Sequence, residues 1–161
     1  ITGLSAQETL GDRRLRRLMT ASLQEAVRVG YARGIRYGSV QGLTDGLLRF
    51  VARAPRWAAQ AVPLLMRRRM GATPNPGSTL QSIRRGQPSE IDYLNGAVVA
   101  EAREAGGEAP VNAALTALVH EGERSGAFLP PETVAERMRP PLRAGRPPAA
   151  PRAPANGDRA A

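Results

Sequence analysis

Three polar side chains in the middle of the sequence are of types that could bind a ligand together: Asn75, Ser78 and Glu90. They supply an amide, a hydroxyl and a carboxylate close to two adjacent predicted helix starts, where polar ligands are commonly held. Such a set suits a small, oxygen-rich, anionic ligand. The alternative is that Ser78 and Ser89 only cap helices and Glu90 is a surface acid. From the residues alone, neither interpretation is favoured.

A short helix is predicted to position the first two of these groups. It begins after Gly77, and Leu80 and Ile83, three residues apart, predict its buried side. Residues 84–86 close it with two arginines and a glycine, which suit the negative end and the C-terminal cap of a helix. The loop before it, residues 71–77, is rich in glycine and proline and brings Asn75 to the same place.

A second helix, predicted over residues 90–105, positions Glu90. Ser89 predicts its N-cap, and Asp92, three residues on, the acid of a capping box. Glu90 falls in the first turn, where the helix dipole favours a charged carboxylate. Gly96 in the middle costs about 1 kcal/mol against alanine, so we expect a neighbour packed close to it. The residues expected to be buried are Ile91, Leu94, Val98 and Ala102.

Composition excludes several classes of function. With no cysteine, disulfides and thiolate metal sites are excluded, and no metal site is expected. The net charge of +9 comes from arginine alone among the basic residues, but aromatic residues make up only 4%, so stacking platforms for nucleic acid are lacking. We therefore expect no nucleic-acid partner. No apolar run is long enough to span a membrane, so we expect no membrane contact and a cytoplasmic location.

The segment over residues 78–96 resembles a known family. Its pattern Ser-x-x-Gln-x-Ile-Arg, followed by Glu-Ile-Asp-Tyr-x-Asn-Gly, is similar to the signature of the C-terminal helical domain of 2-dehydropantoate 2-reductase (ketopantoate reductase). Ala-Pro-Val-Asn at 109–112 resembles the next landmark of that family. The resemblance covers about residues 75–124, and it implies an all-α bundle of the 6-phosphogluconate dehydrogenase C-terminal-like kind.

The resemblance also implies an activity. In that family an N-terminal Rossmann domain binds NADPH, and the helical domain closes over a 2-oxo acid, 2-dehydropantoate, which is reduced to pantoate in pantothenate biosynthesis. Ser78 would bind the substrate and Asn75 would line the same site. Glu90 would act in the catalytic centre and touch the nicotinamide.

A catalytic lysine is also implied, on a helix ending just before Ile1, but the chain contains no lysine. Arginine is a poor replacement, because its pKa is too high for it to give up a proton. We therefore expect this chain alone to be inactive, and to be the substrate-side half of a reductase whose cofactor domain lies elsewhere.

The remaining sequence predicts a helical body over residues 1–138 and a disordered tail over 139–161, rich in proline, alanine and arginine. Residues 1–11 show no helix start of their own, and Asp12 predicts the N-cap of a helix to about Arg33. Further helices are predicted over 40–53, with Val40 facing inward, and from 55 to about 70, with a kink or break at Pro63.

Downstream, Pro110 predicts the first turn of another helix, and a short one is expected over 131–138. His120, the only histidine, has no cluster of ligands at suitable spacing and is expected to be a surface or partly buried helix residue. No segment has the period of a strand, so the fold class predicted is all-α.

A second function from a different class remains open. The chain would then be a non-catalytic helical interaction module, with a second copy of itself as partner and helices paired across a two-fold axis. A reading frame extending upstream of Ile1 into a glycine-rich strand–turn–helix would favour the reductase. A start codon at that point would favour the module.

Overall fold

The structure, a computed structural model, describes residues 1–39, 43–71 and 73–144. It is all-α, as the sequence predicts, and the described ranges contain no sheet. None of the helices in these ranges is both long and apolar enough to cross a membrane. The elements are α1 (Ala6–Gly11), α2 (Arg13–Ala32), α3 (Asp45–Arg53), α4 (Arg56–Ala59), α5 (Ala61–Arg69), α6 (Ser78–Arg84), a π-helical turn (Asp92–Gly96), α7 (Ala97–Glu104), α8 (Pro110–Ser125), α9 (Pro131–Arg137) and α10 (Arg139–Ala144).

The longest helix, α2, is the centre of the bundle. Asp12 caps it, as predicted, by accepting the backbone N–H groups of Arg14 and Leu15 at 2.7 and 3.0 Å. The helix contacts α1, α3, α4, α5, α7, α8 and α9. Because most of the chain packs on α2, its apolar side forms the main core. The buried members of this core are Leu15, Leu18, Ala21, Val111, Leu118, Val134 and Met138.

The first helix, α1, contradicts the expectation that residues 1–11 lack a helix start. Ser5 accepts the backbone N–H of Glu8, and the Glu8 carboxylate accepts the Ser5 backbone N–H at 2.8 Å. This reciprocal pair is a capping box, and the Ser-x-x-Glu spacing that signals it is visible in the sequence. Leu10 of this helix is buried, so α1 belongs to the body of the fold.

The next two predicted helices are present with changed bounds. The helix expected over 40–53 begins at Asp45, where Thr44 caps it by accepting the Leu47 N–H. The expected inward position of Val40 lies outside the described residues. The helix expected from 55 to 70 is divided at Gln60 into α4 and α5. This division lies one turn before Pro63, which has no N–H to bond to the preceding turn.

The helix predicted over 90–105 is continuous from Ile91 to the end of α7 and contains the π turn. Ile91 and Ala102 are buried as predicted, but the side chain of Leu94 is 53% exposed, which is a correction. The extra residue in a π turn rotates the side chains that follow it relative to an α-helix, so a strict α period fails here. A Cβ on Gly96 would lie within 3.6 Å only of Asp92 and Ile91, in the preceding turn. The close neighbour expected at this place is α8, which contacts the π turn and whose Asn112 accepts a hydrogen bond from Asn95, the residue before Gly96.

The C-terminal helices complete the body. Pro110 begins α8 as predicted, and the predicted short helix is α9. Residues 139–144, which the sequence analysis assigned to the tail, form α10, and Leu142 packs against the main core. The assignment of these six residues to the tail is therefore corrected. Residues 145–161 lie outside the described residues, and the predicted division into two regions stays a prediction.

Candidate functional site

The loop that carries Asn75 is attached to α1. The backbone N–H of Ala6 donates to the carbonyl of Asn75 at 2.8 Å, and the Asn75 N–H donates to the side chain of Gln7 at 2.9 Å. The Asn75 side-chain oxygen accepts the backbone N–H of Gly77 at 3.1 Å. Gly77 has φ +67°, a left-handed conformation that favours glycine. These bonds fix the backbone around Asn75 and occupy its side-chain oxygen.

Ser78 is the first residue of α6, and its side chain is exposed. Its hydroxyl forms no hydrogen bond with any described residue, although Asn75 and Gly77 nearby are bonded. Leu80 and Ile83 anchor the helix beneath it, as predicted, since both are buried. A rigid helix therefore presents a hydroxyl that is free to donate or accept.

Glu90 precedes the helix that starts at Ile91, and its side chain is exposed. Its carbonyl accepts the backbone N–H groups of Tyr93 and Leu94 at 3.0 and 3.1 Å. The carboxylate has no partner among the described residues. The backbone of Glu90 is thus held by the first turn of the helix, whereas its acid group is available to a ligand.

The capping box predicted between Ser89 and Asp92 is wrong. Glu123 of α8, and not Asp92, accepts the Ser89 backbone N–H, at 2.7 Å. The Ser89 hydroxyl accepts the Ile91 N–H at 3.3 Å, so half of the expected cap is present. The side chain of Asp92 lies instead 2.9 Å from His120. Aspartate is too short to serve this role well, and a glutamate from another helix takes its place.

His120 lies between two carboxylates, an arrangement that the sequence does not predict. Its Nδ1 is 2.8 Å from Glu123 Oε2, and its Nε2 is 2.9 Å from Asp92 Oδ1. The hydrogen bonds with Glu123 and Asp92 raise the pKa of His120, outweighing partial burial, which lowers it. The only signal in the sequence is Glu123, three residues on along the helix, because Asp92 is distant in the chain.

A buried polar cluster joins the π turn to α2 and α8. Asn95 donates to Asn112 at 2.8 Å, and the Ser22 hydroxyl donates to the same oxygen at 2.8 Å. Glu25 accepts the backbone and side-chain N–H groups of Asn112 at 2.9 and 2.7 Å, and the backbone N–H of Val111 at 3.0 Å. Since Val111 and Asn112 lie in the first turn of α8, Glu25 acts as the cap of that helix.

A cavity of about 370 Å³ lies beside the candidate residues. Pro76, Gly77 and Ile91, which are sequence neighbours of Asn75, Ser78 and Glu90, form part of its wall, and the three candidates themselves do not. No hydrogen bond joins the three candidate side chains to one another. Their convergence on one ligand stays a prediction. The other lining residues are Ile1, Thr2, Gly3, Leu4, Ala6, Thr9, Leu15, Leu18, Met19, Thr79, Leu80, Asn95, Leu115, Val119 and Val134.

The described residues contain no group of three His, Asp or Glu side chains arranged to hold a metal ion.

A comparison with the solved structures found no match. A comparison with protein families found one model, described as ketopantoate reductase PanE/ApbA C terminal, which matches residues 1–123. The match includes every candidate site residue and covers well over half of the chain. The chain therefore belongs to the ketopantoate reductase PanE/ApbA C-terminal family.

Proposed function

We propose that the chain is the substrate-side domain of an NADPH-dependent 2-oxo acid reductase, acting on 2-dehydropantoate in pantothenate biosynthesis. The observation that carries this proposal is that Ser78 and Glu90 lie exposed beside the cavity, in a family-matched segment, and that no described residue bonds their side-chain oxygens. A side chain without a partner is not distinctive by itself, because the Ser82 hydroxyl and the Glu104 carboxylate also form no hydrogen bond with a described residue. What supports a binding role for Ser78 and Glu90 is that their sequence neighbours Gly77 and Ile91 line the cavity, in the family-matched segment.

In this proposal Ser78 and Asn75 each supply a hydrogen-bond donor to the substrate. The Ser78 hydroxyl is able to donate a hydrogen bond to a substrate carboxylate, and it lies at the start of a helix that is anchored by the buried Leu80 and Ile83. The side-chain NH₂ group of Asn75 donates to the substrate, because the side-chain oxygen already accepts the backbone N–H of Gly77. Preorganised donors of this kind cost little to order when the substrate binds.

The carboxylate of Glu90 is an acceptor and suits a group that carries N–H or O–H donors. The amide of a nicotinamide and the hydroxyl of the product both fit, which accords with the position that the family implies. NADPH, when bound, supplies the hydride that reduces the substrate carbonyl. The described residues offer no glycine-rich loop after a strand, so the phosphates of the cofactor would be held by the Rossmann domain of the same enzyme.

A proton donor for the carbonyl oxygen is also needed, since the developing alkoxide must be neutralised. The chain contains no lysine, the residue that the family uses. The donor is therefore expected on the partner domain, and a chain lacking that domain should show no turnover.

The test is to express the full reading frame containing residues 1–161 and to follow NADPH oxidation with 2-dehydropantoate. Glu90→Gln keeps the shape of the side chain and removes its charge, whereas Glu104→Gln makes the same change at an exposed position outside the site. We expect turnover to fall at least tenfold in the first variant and to be unchanged in the second. Equal activity of the wild type and Glu90→Gln would contradict the role of Glu90.

We propose the interaction module as the second candidate, on one observation. Trp57 on α4 and Leu64 and Leu65 on the following helix, α5, are large apolar side chains that are 79%, 37% and 43% exposed. Exposed apolar side chains that form a contiguous patch mark a contact surface. The full protein should then form a dimer that Leu65→Arg dissociates, as measured by analytical ultracentrifugation. A monomer at all concentrations would dismiss this candidate.

A further inference from the structure

Two side chains of α8 hold the chain on both sides of Glu90. Glu123 bonds Ser89, the residue before Glu90, and His120 bonds Asp92, two residues after it. We propose that His120 and Glu123 are positioning residues, which fix the turn carrying Glu90 when His120 is protonated. The proposal rests on the proposed function for its catalytic consequence, but its structural part stands on these contacts alone.

Glu123 uses both of its oxygens in this arrangement. Oε1 accepts the Ser89 N–H at 2.7 Å, and Oε2 lies 2.8 Å from His120 Nδ1. The side chain is only 16% exposed. Burial would raise the pKa of Glu123, but the hydrogen bonds with Ser89 and His120 outweigh it and the pKa is lowered. The ionised carboxylate therefore bridges α8 and the turn in one fixed orientation.

Only the protonated form of His120 satisfies both of its neighbours. A neutral imidazole has one N–H, so its other nitrogen would face a carboxylate oxygen with no hydrogen between them. Asp92, from the π turn, and Glu123, on α8 itself, are the charged groups that face the ring among the described residues. Both bonds together therefore need an imidazolium, and loss of its proton removes one of the two.

Glu90 is the residue that this arrangement would steady. Its neighbours Ser89 and Asp92 are both tied to α8, while its own carboxylate makes no bond with the described residues. A fixed backbone limits the space that the Glu90 carboxylate can reach and leaves the carboxylate free to bind. When His120 loses its proton, its bond to Asp92 or to Glu123 is lost, and the backbone position of Glu90 becomes less defined.

Nuclear magnetic resonance tests the structural part directly, because His120 is the only histidine of residues 1–161 and its ring Cε1–H signal is assigned by its loss in His120→Gln. The imidazole signal and the backbone amide signals of Ser89 and Glu90 are followed from about pH 5 to about pH 9, the range in which histidine titrates. We expect all three to change with one midpoint. In His120→Gln the amide transitions should disappear, and in Arg124→Gln, one turn along the same helix, they should remain.

A second variant, Glu123→Gln, keeps an acceptor for Ser89 and removes the negative charge beside His120. It should lower the midpoint of the His120 titration. This measurement does not depend on whether His120→Gln folds. The proposal would be overturned if the amide signals of Ser89 and Glu90 did not change with the His120 titration. It would also be overturned if they kept their transition in His120→Gln.

Activity of the full enzyme separates this inference from the proposed function. With 2-dehydropantoate and NADPH, His120→Gln should reduce kcat several-fold, leave KM nearly unchanged and alter the alkaline side of the pH profile. An unchanged profile in an active enzyme would overturn the positioning role. If the His120, Ser89 and Glu90 signals shared one titration midpoint but the full protein did not reduce 2-dehydropantoate, the proposed function would be contradicted. The structural part of this inference would be unaffected.

Discussion

The side-chain amide of Asn95 donates a hydrogen bond to the side-chain oxygen of Asn112 at 2.8 Å. This bond connects the two segments of the sequence that carry the family resemblance, and its two residues are 17 positions apart along the chain. Asn112 is 1% exposed and also bonds Glu25 and Ser22. Because buried polar groups are costly unless they are paired, each member of this cluster depends on the others.

The first prediction concerns Asn112→Asp. The change replaces an N–H donor by an oxygen that faces Glu25 at 2.7 Å, so two carboxylates would meet in a buried place. We expect the free energy of unfolding at neutral pH to fall by about 3 kcal/mol or more, since an uncompensated buried charge costs this much. The loss should shrink as the pH falls and one carboxyl binds a proton. Denaturant unfolding at several pH values measures it.

The control for this prediction is Gln87→Glu, the same amide-to-acid change at an exposed position. It should alter the free energy of unfolding by less than about 0.5 kcal/mol, as surface substitutions do. If Asn112→Asp were as stable as the control at neutral pH, the cluster would not depend on the donor of Asn112.

The second prediction concerns Gln24 of α2, whose side chain caps the C-terminal end of α3. Its side-chain N–H groups donate to the carbonyls of Val51 and Ala54 at 2.9 and 2.8 Å, and the residue is 2% exposed. Gln24→Leu keeps the approximate volume and leaves both carbonyls without a donor. We expect it to cost about 2 to 3 kcal/mol in the free energy of unfolding, with Gln87→Leu near neutral. A neutral result at Gln24 would mean that water reaches these carbonyls.

The third prediction is the pH dependence of stability that His120 contributes. Its pKa is raised by its bonds to Glu123 and Asp92, so the folded state binds the proton more tightly than the unfolded state. The contribution is complete below the unfolded pKa of about 6.5 and is lost as the pH rises through the raised value. The difference in unfolding free energy between the wild type and His120→Gln should therefore decrease at alkaline pH. A difference independent of pH would contradict the ion pairs.

The fourth prediction concerns the capping box of α1. Ser5→Ala removes the oxygen that accepts the Glu8 N–H and should lower the free energy of unfolding by about 1 kcal/mol. Ser82→Ala is the control, because the Ser82 side chain makes no hydrogen bond with a described residue. Thermal unfolding compares the two. Equal melting temperatures for both variants would mean that α1 is held only by its packing.

Elements with a strong local signal at both ends could be predicted from the sequence. Asp12 marks the start of α2 and Pro110 that of α8, and each precedes a regular apolar stripe. The start of α1 was also readable from Ser5 and Glu8, but the helix is short and carries little apolar periodicity. The prediction is wrong there, because a helix of six residues is too short to show an apolar period and only its cap signals it.

Features set by contacts between distant parts of the chain could not be predicted. Glu123 replaces Asp92 as the partner of Ser89, and a local pattern says nothing of an acid that lies 34 residues away. The exposure of Leu94 follows from the π turn, whose Asn95 is bonded to Asn112. Within the candidate site, the residue types were readable, whereas the groups that hold Glu90 in place were visible only in the structure.

The last prediction separates binding from structure at Ser78. The hydroxyl of Ser78 has no described partner, and that of Ser82, about one turn along the same helix, has none either. Ser78→Ala and Ser82→Ala remove the same atom from the same element, so their effects on the stability of the helix should be similar and small. If Ser78 binds the substrate carboxylate, only its variant should raise KM for the 2-oxo acid, by about tenfold, since a hydrogen bond to a charged group is worth about 1.5 kcal/mol. Steady-state kinetics of the full enzyme measure this, and equal KM values for the two variants would remove Ser78 from the site.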